Sequence, residues 1–118
     1  MNRLILSLVI LLAAQCALAE TITSIGASNC QRWIDARALE RKTADPFDRA
    51  LAMIDRAWIL GFMTAMNATH PGAKDLLKNV NANTIADWMD QYCKKNPKSD
   101  LFDGGSVLYK ELIRVTTE

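Results

Sequence analysis

The chain is short of the residues on which small catalytic and metal-binding proteins are built: 118 residues contain one histidine, His70, and three cysteines. A single histidine leaves no His pair for zinc. Cys-x-x-Cys, Cys-x-x-Cys-His and an Asp-x-Asp loop of calcium-site spacing are also missing, so no metal, haem or other cofactor is expected. His70 stands beside Thr69 and ahead of Pro71 and Gly72, in a loop-forming stretch where a lone histidine is expected to be solvated. Nothing at helical spacing completes a nucleophile–base arrangement with it, and no catalytic residue is expected. Excess charge of one sign is missing as well. The 14 Lys and Arg nearly balance the 13 Asp and Glu, which argues against a nucleic-acid partner. There is no β-branched alternation of useful length and no internal repeat, which excludes a sheet or a solenoid.

Long apolar runs are confined to the start. Arg3 precedes the run Leu4 to Ala14, and the small-x-small triplet Ala17, Leu18, Ala19 stands just before Glu20. The run is well short of the roughly 20 residues that span a bilayer, so residues 1–19 read as a cleaved signal peptide and the protein as exported to the periplasm, with no stable membrane insertion afterwards. Lipid attachment at Cys16 is disfavoured by Gln15, which occupies a position where such signals carry a small residue. Cys16 leaves with the signal. The remaining even pair, Cys30 and Cys93, in an oxidising compartment, is expected to form one disulfide.

Loss of the signal removes one charge, Arg3, leaving 13 basic residues against 13 acidic ones. At very low pH, with carboxyls protonated and His70 charged, the same chain carries about +14. The expected organisation is a flexible lead over 20–28 and one helical domain over 29–118. Cys30, Trp33, Ile34 and Ala38 fall at helical spacing behind Ser28 or Asn29 as N-cap, and this first helix ends near Lys42. Asp45 before Pro46 restarts the chain as a long second helix reaching about Asn67. Its broad apolar face is read as Phe47, Ala50, Leu51, Ile54, Trp58, Gly61, Phe62 and Ala65. Residues 68–79 read as a loop with a helical turn near Asp75 to Lys78. A third helix follows, started by Thr84 with Asp87 as a capping box or by Asn81 or Asn83, striped by Ile85, Trp88, Met89, Tyr92 and Cys93, and stopped by Asn96 and Pro97. Leu101, Leu108, Leu112 and Val115 mark a fourth, in which Gly104 and Gly105 each cost roughly 1 kcal/mol and set its first turn apart. The fold class is a small all-α orthogonal bundle of four helices, or five, stapled by one disulfide.

Trp33, Trp58 and Trp88 read as core anchors in preference to a ligand cage, and Met53, Met63, Met66 and Met89 as core fill first and adaptable binding surface second. Gly61 is expected to admit a neighbouring helix closely. Lys94, Lys95 and Lys98 complement the C-terminal dipole of the third helix.

Two segments carry a family resemblance. Cys30, Gln31, Arg32, Trp33, Ile34, Asp35 resembles the start of the mature fold in the HdeB branch of the HdeA/HdeB periplasmic acid-stress chaperones. Tyr92, Cys93, Lys94, Lys95, Asn96, Pro97, continuing through Lys98 to Leu101 and Phe102, is similar to the run around that family's second cysteine. The resemblance implies a single disulfide between the two cysteines and a helical, exported protein-binding domain. Such a domain is folded, inert and a homodimer near neutrality, then loosens in acid and shields unfolding clients. The client surface it implies here is Trp58, Phe62, Met63 and Met89, hidden at neutral pH. Candidate acid-sensitive carboxylates are Asp35, Asp48, Asp55, Asp87 and Asp90. The apolar middle, Trp58 through Met63, departs from the family. With Cys30, Gly61 and the Trp88…Tyr92-Cys93 spacing it resembles, more loosely, the Tai-type immunity proteins, which implies instead a fixed patch for one toxin partner.

Cleavage is predicted after Ala19, since Ala17 and Ala19 form the well-placed small pair ahead of the polar lead. N-terminal sequencing of the exported protein is expected to read Glu20 first; lipid retained on Cys16 would contradict it.

Overall fold

The computed structural model describes residues 22–42 and 44–117. The signal segment read over residues 1–19 lies outside them, as do residues 20 and 21 of the lead. Among the described residues there are five helices: α1 (Cys30–Lys42), α2 (Pro46–Ala52), α3 (Ile54–Ala68), α4 (Ala82–Lys95) and α5 (Leu101–Thr117). The fold is the all-α bundle with one disulfide, Cys30–Cys93, whose Cα atoms lie 4.9 Å apart.

Local chemistry sets the helix starts. Asn29, of the two expected candidates, caps α1, its Oδ1 accepting from Arg32 N at 2.8 Å. Asp45 caps α2 through Phe47 N and Asp48 N at 2.9 and 3.0 Å, with Pro46 at the first helical position. Asn81 caps α4 by accepting from Thr84 N at 2.9 Å, so Thr84 is a capped residue, and the Thr84–Asp87 capping box does not form. Asp100 caps α5 through Asp103 N at 2.9 Å.

The start of α1, the end of α4 and the start of α5 meet at the disulfide. Cys30 N donates to Ser99 O and Leu101 N to Ser28 O, both at 2.9 Å, an antiparallel bridge of Asn29 with Asp100. The end of the lead, Ser28, is thereby bonded to the start of α5. Trp58 Nε1 also donates to Ile25 O at 2.8 Å.

The long second helix is broken. Met53 N–H is shared between Arg49 O and Ala50 O at 3.1 and 3.2 Å, and with ψ near zero Met53 separates α2 from α3. The face expected to be buried is also displaced. Ala52, Asp55, Ile59 and Met63 are buried, while Phe47, Leu51 and Ile54 are 70%, 47% and 51% exposed. That is a rotation of roughly a third of a turn. Residues 58–63 are apolar all round and so mark no single face, and the stripe that is buried contains a carboxylate, which a hydrophobic pattern passes over. Met53 is correspondingly exposed and not core fill, whereas Met63 and Met89 are fully buried.

Glycine positions are reversed from the expectation. Gly61 faces outward, with nothing within 4 Å of where a Cβ would stand, so it admits no neighbour. Gly104 and Gly105 are buried in an unbroken α5: a Cβ on Gly104 would lie 2.5 Å from Met89 Cε and one on Gly105 2.7 Å from the Phe62 ring. The helix tolerates both because α3 and α4 cross it there. The core they close holds Cys30, Trp33, Ile59, Met63, Ile85, Met89, Cys93, Leu101 and Leu108. Residues 76–79 form a hydrogen-bonded turn, with Val80 N donating to Leu77 O at 3.0 Å, and Leu76 is buried beneath Asn67, whose Oδ1 accepts from Leu76 N at 2.7 Å. No helix among the described residues is long and apolar enough to cross a membrane.

The glycines predict opposite signs. Gly61→Ala is expected to stabilise by about 0.5–1 kcal/mol, since an exposed helical Gly only costs entropy, and Gly105→Ala to destabilise by about 1–3 kcal/mol through overpacking against Phe62 and Ile59. Urea denaturation of the oxidised protein measures both.

Candidate protein-binding surfaces and the charge network behind them

Trp33 begins the network. It is 1% exposed, and its indole N–H donates to Asp90 Oδ1 at 2.8 Å, tying α1 to α4. One turn on, Arg37 lies with its guanidinium 5.9 Å from the Trp33 ring centroid and donates Nε to Asp90 Oδ1 at 3.0 Å and Nη2 to Oδ2 at 3.2 Å. Its Nη1 donates to Glu40 Oε2 at 2.7 Å, and Glu40 Oε1 accepts from Arg56 Nη1 of α3 at 3.0 Å. Arg56 also bonds Asn83 of α4. Three helices thus converge on two carboxylates, and the side chains of Arg37, Glu40, Asp90 and Arg56 are only 12–17% exposed. Asp87 and Arg41 attend from the edge at 3.4 and 3.6 Å.

The hydrogen bond from Arg37 to Asp90 raises the Arg37 pKa above its ordinary value, against burial, with Glu40 adding to it. For Glu40 burial is the largest influence and pushes upward, but the bond from Arg37 and the charges of Arg37 and Arg56 together outweigh it, leaving the carboxyl below its ordinary 4.5. Of the other expected carboxylates, Asp35 is exposed and accepts from Gln31 Nε2 at 3.0 Å, and Asp48 sits in the first turn of α2. Asp55 is the buried one: Ser28 Oγ donates to its Oδ1 at 2.5 Å, while Oδ2 makes no hydrogen bond and has Arg32 Nε 3.3 Å away as an ion-pair partner.

The four residues expected to form a binding surface separate into two pairs. Met63 and Met89 lie under the helices. Trp58 and Phe62 are half-buried and stacked, centroids 5.4 Å apart and planes 7° off parallel, and Phe62 meets Phe102 edge-on at 5.5 Å. Phe62 lines a groove of about 740 Å³ between α3 and α5 with Met66, Phe102, Val107 and Tyr109, and Asp103 and Lys110 also line it. Phe102, Val107 and Tyr109 were not foreseen. The second apolar surface, Phe47, Leu51 and Ile54 at i, i+4, i+7, was foreseen as core; its signal was a helix bearing more apolar faces than a chain this small can bury.

His70 is not a solvated loop residue: it is half-buried, its Nδ1 2.7 Å from Tyr109 Oη, and it joins the 69–80 segment to α5. Lys94 and Lys95 end α4 as expected, exposed beside the last carbonyls. Among the described residues no group of three or more His, Cys, Asp or Glu is placed to hold a metal ion.

Arg37→Met is expected to destabilise the protein by about 2 kcal/mol, between the values for exposed and fully buried pairs, because it strands Asp90 and Glu40 in the helix interface. Asp87→Asn, at a carboxylate with a 73% exposed side chain, is expected to cost under about 0.5 kcal/mol. Chemical denaturation at pH 7 compares the two.

No family model, no curated protein and no solved structure matches the chain, so what these surfaces do is argued from their own geometry.

Proposed function

We propose that the chain is a periplasmic protein-binding domain of the acid-stress chaperone kind, folded and quiescent near neutrality and able in acid to cover apolar segments of unfolding proteins. It works by binding and not by chemistry. The observation that carries this reading is the composition of the α1–α3–α4 interface, where Asp90 and Glu40 are the acceptors for Trp33, Arg37 and Arg56. Protonating those carboxyls leaves two half-buried guanidinium groups without counter-charge. The folded pKa of Glu40 is depressed, so its contribution is present above the ordinary 4.5 and is lost as pH falls through the lower folded value. Net charge meanwhile climbs from near zero toward about +14, adding self-repulsion. The disulfide is indifferent to pH, so helices separate while the ends of α1 and α4 stay joined.

A second reading, a dedicated partner binder of the immunity type, is favoured by the α2 face. Phe47, Leu51 and Ile54 are already exposed in the folded protein, as a fixed patch for one partner requires.

The test mixes the protein with an aggregation-prone periplasmic extract at pH 2.5, pellets the aggregate and follows tryptophan emission. The chaperone reading predicts a smaller pellet and a red shift as Trp33 leaves Asp90; native emission with an unchanged pellet rejects it in favour of the partner binder. Glu40→Gln is expected to flatten the loss of stability with falling pH below about 4.5, measured by urea midpoints at each pH.

A further inference from the structure

We propose that the α3–α5 groove is a binding site for a single-chain amphiphile, its aliphatic tail lying over Phe62, Phe102 and Val107 and its anionic head, a carboxylate or a phosphate, meeting Lys110. The site belongs to the folded protein and does not depend on the opening of the α1–α3–α4 interface in acid.

The groove lies beside the place where α3 and α4 cross α5. Gly104 and Gly105 let Tyr92 and Phe62 down onto that helix, so rings from three helices line one cleft: Phe62 of α3, Tyr92 of α4, Phe102 and Tyr109 of α5. Its volume of about 740 Å³ is that of a small-molecule site. Ile22 reaches the lining but is 73% exposed, and the groove stands open.

The hydroxyls of the lining are already engaged within the protein. Tyr109 Oη lies 2.7 Å from His70 Nδ1, Tyr92 Oη lies 2.8 Å from Ser99 Oγ, and Ser106 Oγ donates to Phe102 O at 2.7 Å. What is left for an occupant is ring, thioether and isopropyl surface, which suits a hydrocarbon tail. A sugar or a peptide backbone would bring polar groups for which the lining keeps no ready partner.

The lining carries two charges, Asp103 and Lys110, about 10 Å apart along the axis of α5. They are not equivalent. Asp103 Oδ2 accepts from Ser99 Oγ at 3.1 Å, and the residue lies in the first turn of α5, where free amides favour a carboxylate. Lys110 is exposed and forms no ion pair among the described residues. On α5 the residues three and four positions from it are Ser106, Val107, Ile113 and Arg114, and adjacent Glu111 is held by Arg114 at 2.7 Å. The unbalanced charge of the lining is therefore positive and complements an anionic head.

The test uses the exported, oxidised protein at pH 7 with dansyl-labelled undecanoate as probe. Dodecanoate, dodecyl phosphate, dodecanol and dodecylammonium compete for it, each below its critical micelle concentration. Both anions are expected to displace the probe at about two- to fivefold lower concentration than dodecanol, the worth of one exposed charge pair, and dodecylammonium to displace it least. A lower midpoint for dodecanoate assigns the head to a free fatty acid and a lower one for dodecyl phosphate to a phospholipid-derived head; either supports the site. Lys110→Met is expected to erase the preference for anions while dodecanol still binds, and Val107→Asp to abolish binding of the probe. Both residues are exposed, so neither change enters the core, and circular dichroism checks the helices. Phe47→Asp, on the α2 face, is expected to leave binding as it is. The site is overturned by a probe signal that does not saturate, by equal displacement with all four competitors, by an anion preference that survives Lys110→Met, or by binding that survives Val107→Asp and is lost in Phe47→Asp.

Discussion

Everything else in this molecule hangs from the Cys30–Cys93 bond and the two hydrogen bonds that flank it, Cys30 N to Ser99 O and Leu101 N to Ser28 O. The bond spans 63 residues, and closing a loop of that length in the unfolded chain is worth roughly 4 kcal/mol in the chain-entropy model, a large share of what a domain of this size has. It also brings three chain ends to one point: the first residue of α1, the last turn of α4 and the first residue of α5. Helices that could otherwise pair in several ways are given a common origin, and their crossing angles need only satisfy packing further out.

Further out, the packing is held by a different chemistry. The Trp33–Asp90–Arg37–Glu40–Arg56 chain depends on two carboxylates remaining ionised, whereas the disulfide depends on the redox potential of the compartment. The two ties begin one helical turn apart, Trp33 after Cys30 and Asp90 before Cys93, and answer to different conditions.

The two apolar surfaces are placed differently. The α2 face is on display in the folded state, while the α3–α5 groove is flanked by the lead and continuous with the Trp58–Phe62 stack. Both arise because the stretch from Phe47 to Met66 carries more apolar residues than α1, α4 and α5 can cover. The core takes one stripe, Ala52, Asp55, Ile59 and Met63, and leaves the rest for others.

What could be read from the sequence was decided by near neighbours in the chain. Asp45 ahead of Pro46 starts a helix by bonding its own next amides, Asn96 and Pro97 stop one for want of a donor, and Ile85, Met89 and Cys93 align because a helix repeats every 3.6 residues. The disulfide belonged to this class too: once the apolar start holding Cys16 is read as a leader, one pairing is left, Cys30 with Cys93. Tertiary structure alone decided the facing of α3, because residues 58–63 are apolar on all sides and the side turned inward is the one on which buried Asp55 meets Ser28 and Arg32. It likewise turned Gly104 and Gly105 from a local cost into the place where α3 and α4 cross α5, exposed Gly61, seated Gly26 on Trp58 and set His70 against Tyr109. Each of these depends on an atom dozens of residues away, and a property of two distant residues has no signature in the local pattern of either.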